Sequence, residues 1–124
     1  MLTEKTEILE SLRKILSKYS KSLKVTKDSE KGYELYGKKS VTAFNKQFDG
    51  MYFATAAIKS GFVGFYFFPI YTHPKEFISI PAEIRKCLKG KSCFHFKKLD
   101  KELEGQIKDM VKQGYELYKK TGWA

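Results

Sequence analysis

The chain has 124 residues, a length that suits one folded domain around a single hydrophobic core. Hydrophobic residues make up 42% of the chain and aromatic residues 15%, a composition that excludes a disordered chain despite its high charge. The longest apolar stretch, residues 62–71, is interrupted by Gly64 and Pro69, so the sequence predicts no membrane span.

Basic residues outnumber acidic residues by 24 to 14, which gives a formal net charge of +10. This excess favours anionic partners such as nucleic acids, phosphorylated metabolites or acidic proteins. Only Arg13 and Arg85 are arginines, and lysine lacks the bidentate geometry that reads bases. We therefore expect nucleic-acid binding, as an alternative function, to be nonspecific and salt-sensitive. Its candidate surface is a lysine patch that forms if the first strands pair: Lys18, Lys21, Lys24, Lys27, Lys38, Lys39 and Lys46.

The N-terminal segment argues against export. Glu4, Glu7 and Glu10 fall where a secretory signal requires an uncharged apolar region. The only cysteines, Cys87 and Cys93, fit a reducing compartment in which thiols stay free. We therefore expect a cytoplasmic protein with no membrane partner.

The first half of the chain reads as one helix followed by strands. Apolar residues at three- and four-residue spacing predict a helix from about Thr3, its N-cap, to Tyr19. The period then changes to two over residues 23–25, 33–35 and 41–43, which predicts short strands. Asp49-Gly50 is predicted to form a hairpin between residues 41–48 and 51–58. Ser60-Gly61 is predicted to turn the latter strand into residues 62–68.

In the second half, prolines end the run of strands and a long helix closes the chain. Pro81 is predicted to begin a short helix over residues 82–88, which Gly90 stops. Residues 92–97 form the next predicted strand, with Phe94 and Phe96 on one face and Cys93 and His95 on the other. Asp100 is predicted to cap a final helix that ends before Gly122.

Together these elements predict an α+β fold in one domain over residues 1–124. An antiparallel sheet of about five to six strands is flanked by N-terminal and C-terminal helices. The order is a helix, five strands, a short helix, a strand and a helix. The strand over residues 62–68 is apolar on both faces, so we expect a helix, a partner or a ligand to cover its second side.

Three segments carry a resemblance to a known family. They are Gly90-Lys91-Ser92-Cys93-Phe94-His95-Phe96-Lys97-Lys98, the helix end Glu116-Leu117-Tyr118-Lys119-Lys120-Thr121-Gly122-Trp123, and Gly64-Phe65-Tyr66-Phe67-Phe68-Pro69-Ile70-Tyr71. With them the chain resembles the YdhG-like domain family of unknown function. The resemblance implies a two-layer α+β sandwich. The family also includes frataxin-like intracellular iron chaperones, so the resemblance implies iron as a cofactor or cargo. It specifies the fold better than an activity.

Two sets of residues are candidate metal ligands. Glu4, Glu7 and Glu10 place carboxylates on neighbouring parts of one helix surface, and hard iron prefers oxygen ligands. The same acids also complement the helix dipole, since Arg13 and Lys14 follow them. His73, Cys87, Cys93 and His95 offer the ligand types of a zinc site, although their spacing is unlike that of familiar zinc ribbons.

The sequence shows no paired carboxylates, nucleophile elbow or glycine-rich phosphate loop, so we expect a protein that is not an enzyme. Cys93 and His95 form a thiol and imidazole pair on one strand face, where a structural thiol beside a surface histidine is the plainer interpretation.

The remaining hypothesis is a ligand pocket on the aromatic strand. Its tyrosines and histidine supply polar tips around an apolar floor, unless they are simply core residues. The candidate pocket residues are Tyr52, Phe65, Tyr66, Phe67, Tyr71 and His73. The sequence therefore favours a non-enzymatic cytosolic binding domain, a small-ligand or iron carrier, with a homodimeric protein-interaction module as the alternative.

Overall fold

The computed structural model describes residues 1–124 and contains four α-helices, a short 3-10 helix and seven strands. The helices are α1 (Lys5–Ser17), α2 (Pro69–Thr72), α3 (Ala82–Arg85) and α4 (Lys101–Thr121), and the 3-10 helix is Pro74–Phe77. The strands are β1 (Lys24–Ser29), β2 (Gly32–Tyr36), β3 (Val41–Ala43), β4 (Lys46–Phe48), β5 (Tyr52–Lys59), β6 (Phe62–Phe67) and β7 (Cys93–Phe96). The predicted α+β class, with an antiparallel sheet flanked by an N-terminal and a C-terminal helix, is confirmed.

Five strands form the main sheet, in the order β1-β2-β5-β6-β7, with every neighbouring pair antiparallel. Strand β1 is an exposed edge that carries lysines, which discourage pairing with a second sheet. On the other side, β7 bonds to the segment after α3, where the His95 amide donates to the Cys87 carbonyl at 2.8 Å. Strands β3 and β4 pair in a separate two-stranded sheet.

Helices α1 and α4 pack together on one face of the sheet, which we call the covered face. Helix α1 is amphipathic, as its sequence spacing predicts, and its apolar stripe contacts β5 and β6. Helix α4 reaches the same face, because the Tyr118 ring meets the Phe53 ring edge-on at 5.3 Å. The covered face is fully apolar at its centre, where Phe53, Phe65 and Phe67 have no exposed surface. Burial of these rings stabilises the fold.

A glycine lets α4 approach the sheet closely. A Cβ atom at Gly114 would lie 2.5 Å from the Phe67 ring and 3.0 Å from Pro69. No other residue type fits between helix and sheet at this point without moving the aromatic ring.

The ends of α4 form as the sequence predicts. Asp100 is the N-cap, and its carboxylate accepts a hydrogen bond of 2.8 Å from the Leu103 amide. At the other end Gly122 adopts a left-handed conformation with φ of 91°. Strand β7 also matches its prediction, with Phe94 and Phe96 buried on the covered face and Cys93 and His95 on the other.

The prediction of a hairpin at Asp49-Gly50 is wrong. The chain reverses earlier, at Phe44-Asn45, where a two-residue loop joins β3 to β4 and both residues have positive φ. Such a turn suits asparagine but strains phenylalanine, and the Phe44 ring lies 6.4 Å from the Trp123 ring. Asp49-Gly50 instead connects the small sheet to β5. The Ser60-Gly61 hairpin is confirmed, with Lys59 opposite Phe62 and φ of 84° at Gly61.

Three smaller boundaries also differ. Glu4 rather than Thr3 occupies the N-cap position of α1. The short helix predicted for residues 82–88 ends at Arg85, and Leu88 instead forms an isolated bridge to Phe94. Finally, Pro69 begins a short helix of its own, because proline fits the first turn of a helix.

No helix covers the second face of β6, so of the three expected coverings, a helix, a partner or a ligand, the first is wrong. Both long helices lie on the covered face. On the other side, Phe62 and Tyr66 are half-buried within the sheet, and no helix lies over them. We call this second side, which carries Glu34, Thr55 and Tyr66, the open face.

Candidate functional site

The open face is defined by the strand register. Glu34, Thr55, Tyr66 and Cys93 lie opposite one another on β2, β5, β6 and β7, so their side chains share one side of the sheet. Glycines and alanines between them, such as Gly64 and Ala57, keep the floor of this face low. The Tyr66 ring and the Lys59 side chain lie close to Gly64, where a Cβ atom would be 3.4 and 3.5 Å from them.

A β-bulge brings Tyr52 onto the open face. Leu35 pairs with Ala54 but Tyr36 pairs with Tyr52, so Phe53 is an extra residue in β5. Because of that extra residue, Phe53 and Ala54 both point to the covered face and Tyr52 points away from it. The bulge therefore places the Tyr52 side chain on the open face.

Four aromatic rings form a continuous row from β2 to α2, which we call the aromatic row. Its members are Tyr36, Tyr52, Phe68 and Tyr71, with successive ring centroids 5.1, 5.6 and 5.3 Å apart. The last pair is stacked, at 23° between ring planes, and Tyr71 is 46% exposed. Tyr36, Tyr52 and Phe68 are half-buried, so the row offers one exposed ring and three partly accessible rings to an incoming planar group.

Polar contacts fix the centre of the aromatic row. The Tyr52 hydroxyl hydrogen-bonds to the Thr55 hydroxyl, which donates to the Glu34 carboxylate at 2.8 Å. The other oxygen of Glu34 accepts from Thr26 at 2.9 Å. Burial raises the pKa of Tyr52 above its usual value, so its hydroxyl stays protonated. From the covered side, the Tyr118 hydroxyl donates to the Tyr52 carbonyl at 2.5 Å.

A second aromatic group lies toward β7. The Phe62 and His95 rings stack with their centroids 3.9 Å apart and their planes at 17°. Beside them the Lys59 ammonium lies 5.7 Å from the Tyr66 ring centroid, a cation–π distance. Burial raises the pKa of the Cys93 thiol, as it does for Cys87, so neither is an activated thiolate.

Lysines surround the open face. Lys24 lies opposite Tyr36, Lys27 opposite Glu34 and Lys59 opposite Phe62, so all three share the open face. Lys91 lies 5.9 Å from the Tyr71 ring at the far end of the aromatic row. The two salt bridges of the protein both belong to Arg13, with Glu10 and Asp28, and no lysine takes part in one. The lysine charge is therefore available to an external anion.

Three further depressions lie outside the open face. An apolar groove of about 490 Å³ is lined mainly by Ile70, Tyr71, Pro74, Phe77, Ile78 and Lys91. A cleft of about 590 Å³ beyond β7, which we call the lysine cleft, contains Lys86, Lys89, Lys97 and Lys98. A groove of about 490 Å³ between α1 and α4, which we call the helix groove, contains Lys14, Lys18, Lys108 and Lys112.

The structure distributes the candidate pocket residues over several places. Tyr52 and Tyr66 lie on the open face, whereas Phe65 and Phe67 are fully buried on the covered face. Tyr71 lies at the end of the aromatic row, and it also lines the apolar groove. The remaining residue, His73, follows α2 and contacts the end of α4, where its Nε2 is 2.9 Å from the Thr121 hydroxyl.

The candidate metal ligands are also dispersed. No group of three or more histidine, cysteine or acidic side chains is arranged to hold a metal ion. Glu4 is exposed at the N-cap of α1 and Glu7 is exposed in its first turn, whereas Glu10 pairs with Arg13 at 3.0 Å. Among the zinc candidates, Cys87 and His95 line the lysine cleft, Cys93 lies beside Tyr66, and both cysteines are free.

The predicted lysine patch is partly assembled. Pairing of β1 with β2 brings Lys24 and Lys27 together on one edge, and the Lys38 ammonium donates to the Lys21 carbonyl at 2.7 Å. Lys18 lies in the helix groove and Lys46 in the separate small sheet. The seven predicted lysines therefore do not form a single cluster. Lys24 and Lys27 line one edge of the open face.

Sequence reasoning missed three aromatic residues of the open face, Tyr36, Phe62 and Phe68. Strand alternation offers a signal for two of them, since Tyr36 follows Glu34 by two residues and Phe62 precedes Tyr66 by four.

Comparison of the chain with family models, with curated proteins and with solved structures found no match. The YdhG-like resemblance and the iron chaperone role that it implies therefore stay predictions. None of the helices combines the length and the apolar composition that a membrane span requires.

Proposed function

We propose that the protein is a non-enzymatic binding module whose open face holds single-stranded nucleic acid with little sequence preference. The observation that carries this proposal is the aromatic row, four neighbouring rings that run from the open face of the sheet at Tyr36 and Tyr52 to Tyr71 in α2. Every base has a flat aromatic surface, so stacking on such rings binds single strands whatever their sequence.

The charge of the open face supports the same ligand. Lys24, Lys27, Lys59 and Lys91 flank the rings, and none of them is neutralised by a salt bridge. Bases on the rings would leave their phosphates directed toward these ammonium groups. Lysine attracts phosphate as a point charge and does not read base edges, which agrees with weak sequence preference.

The chemistry of the thiols and the histidines supports a binding role over catalysis. A nucleophilic cysteine needs a lowered pKa, and burial raises the pKa of both thiols here. His95 stacks on Phe62, and Cys93 interacts with the Tyr66 hydroxyl. Two free thiols also favour a cytoplasmic site of action.

Small-ligand binding is the second candidate, and the apolar groove favours it. Ile78 is 71% exposed at its margin. The Arg85 guanidinium donates hydrogen bonds to the Phe77 and Ile78 carbonyls at 2.8 and 3.0 Å. The groove would accept an apolar molecule with an anionic end near Lys91. Native mass spectrometry of freshly purified protein tests this function, and a co-purifying small molecule lost from an Ile78→Lys variant would support it.

The nucleic-acid proposal is tested by fluorescence anisotropy with a labelled oligothymidylate of about ten nucleotides at low salt. Tyr36→Leu removes a half-buried ring of the row, Tyr71→Leu removes its exposed ring, and both keep apolar bulk. Each substitution is expected to weaken binding roughly tenfold, because stacking contributes about 1–3 kcal/mol per base. Lys24→Gln and Lys59→Gln are each expected to reduce the slope of log binding constant against log salt concentration by about 0.7 in magnitude.

Phe44→Leu is the matched control, since Phe44 is 56% exposed but lies on the β3–β4 hairpin. Its oligonucleotide affinity should equal that of the wild type. Failure of the wild-type protein to bind, or equal losses in the Phe44 and Tyr36 variants, would contradict the proposal. A dimer in light scattering that buries the open face would do the same, and would favour the protein-interaction alternative.

A further inference from the structure

The lysine cleft lies at the edge of the sheet, next to the open face. Its walls are the segment after α3, the end of β7 and the first turn of α4. Four lysines line it, and none of their ammonium groups hydrogen-bonds or forms a salt bridge within the protein.

The acidic residues of the lysine cleft leave these lysines free. Glu83, Asp100 and Glu102 line the same cleft, yet none lies within salt-bridge distance of a lysine. Asp100 is engaged as the N-cap of α4, where it accepts from the Leu103 amide at 2.8 Å. The cleft therefore holds four lysines and three acidic residues, and none of the four ammonium groups is paired with a carboxylate.

His95 joins the lysine cleft to the open face. Its ring stacks on Phe62 on the open face, and the same residue lines the cleft. A strand that extends from the aromatic row past Tyr66 to the Phe62–His95 stack would thus reach the cleft at the β7 edge.

We propose that the lysine cleft binds the terminal phosphate monoester of a nucleic-acid strand held on the open face, an inference that rests on the proposed function. An internal phosphodiester carries one negative charge. A terminal monoester carries about 1.5 to 2 negative charges at neutral pH, because its second pKa is near 6. Four lysines that form no salt bridge match the higher charge, and a cleft at the edge of the sheet suits a chain end better than a continuous backbone.

The test compares three otherwise identical oligothymidylates of about eight nucleotides by anisotropy: one with a 5′-phosphate, one with a 3′-phosphate and one with hydroxyls at both ends. A phosphate at one end is expected to tighten binding roughly three- to tenfold. The Lys86→Gln, Lys89→Gln, Lys97→Gln, Lys98→Gln variant should lose this preference and still bind the oligonucleotide with two hydroxyl ends.

A matched control removes the same number of charges from the helix groove. The Lys14→Gln, Lys18→Gln, Lys108→Gln, Lys112→Gln variant should keep the preference for the phosphorylated end. Equal affinity of the wild type for all three oligonucleotides, or loss of the preference in both variants, would overturn the inference and leave the open-face proposal intact. Absence of binding by every oligonucleotide would overturn both.

Discussion

The two faces of β6 both carry aromatic side chains and differ in what lies against them. On the covered face, Phe65 and Phe67 have no exposed surface, because α1 and α4 pack over them. On the open face, Phe62 and Tyr66 are half-buried, and no helix lies over them. Aromatic content therefore does not tell whether one side of a strand is core. The side on which the helices pack decides it.

The largest expected effect separates neighbours on β6. Phe65→Ala should lower the free energy of unfolding by about 3–5 kcal/mol, because it opens a cavity in the covered face. Tyr66→Ala should lower it by about 1 kcal/mol, since its ring is partly solvated. Urea denaturation of both variants measures the difference. Similar losses would mean that the two faces are equally buried.

Replacement of two glycines of α4 by alanine is expected to change the stability of the fold in opposite directions. Gly114→Ala should destabilise the fold by about 1–3 kcal/mol, because the new Cβ overlaps the Phe67 ring. Gly105→Ala meets no atom within 4 Å and should stabilise the fold by about 0.5–1 kcal/mol through helix propensity. Thermal unfolding of the pair checks this close approach of helix to sheet. Stabilisation by both would contradict it.

A smaller effect is expected where α4 anchors the bulge of β5. Tyr118→Phe removes the hydroxyl that donates to the Tyr52 carbonyl and should cost about 1 kcal/mol of stability. Because that carbonyl belongs to a residue of the aromatic row, the variant should also bind oligonucleotide slightly less tightly. Denaturation and anisotropy on the same sample test this link between the two faces. A stability loss with unchanged affinity would show that they are independent.

The smallest expected effect is a dependence of stability on pH that comes from His73. Burial lowers the pKa of this histidine from its usual 6.5, and the Glu76 carboxylate opposes that shift. The unfolded chain therefore takes up the proton first, and the free energy of unfolding should fall as pH drops below 6.5. His73→Gln should reduce this slope in urea titrations between pH 7 and 5. An unchanged slope would assign it to other groups.

Local patterns predicted much of the fold. The Asp100 cap, the alternation in β7 and the Ser60-Gly61 turn depend on neighbouring residues, and all three are confirmed. The hairpin at Phe44-Asn45 is not predicted because phenylalanine rarely adopts the positive φ that this turn requires.

The candidate site was harder to predict for two reasons. The proposed pocket grouped Phe65, Tyr66 and Phe67, although successive strand residues must point to opposite faces. The bulge at Phe53 then reverses the alternation that would otherwise place Tyr52 on the covered face. A bulge depends on pairing between distant strands, so the sequence of β5 alone gives no sign of it.

The most direct test of the account follows the backbone amide chemical shifts of the protein by two-dimensional NMR during titration with oligothymidylate. We expect the shifts to concentrate on β2, β5, β6 and β7, with Tyr36, Phe62 and His95 among the residues most affected. Helices α1 and α4, including the helix groove, should change little. Shifts confined to the two helices, with an unaffected sheet, would show that the open face is not the binding surface.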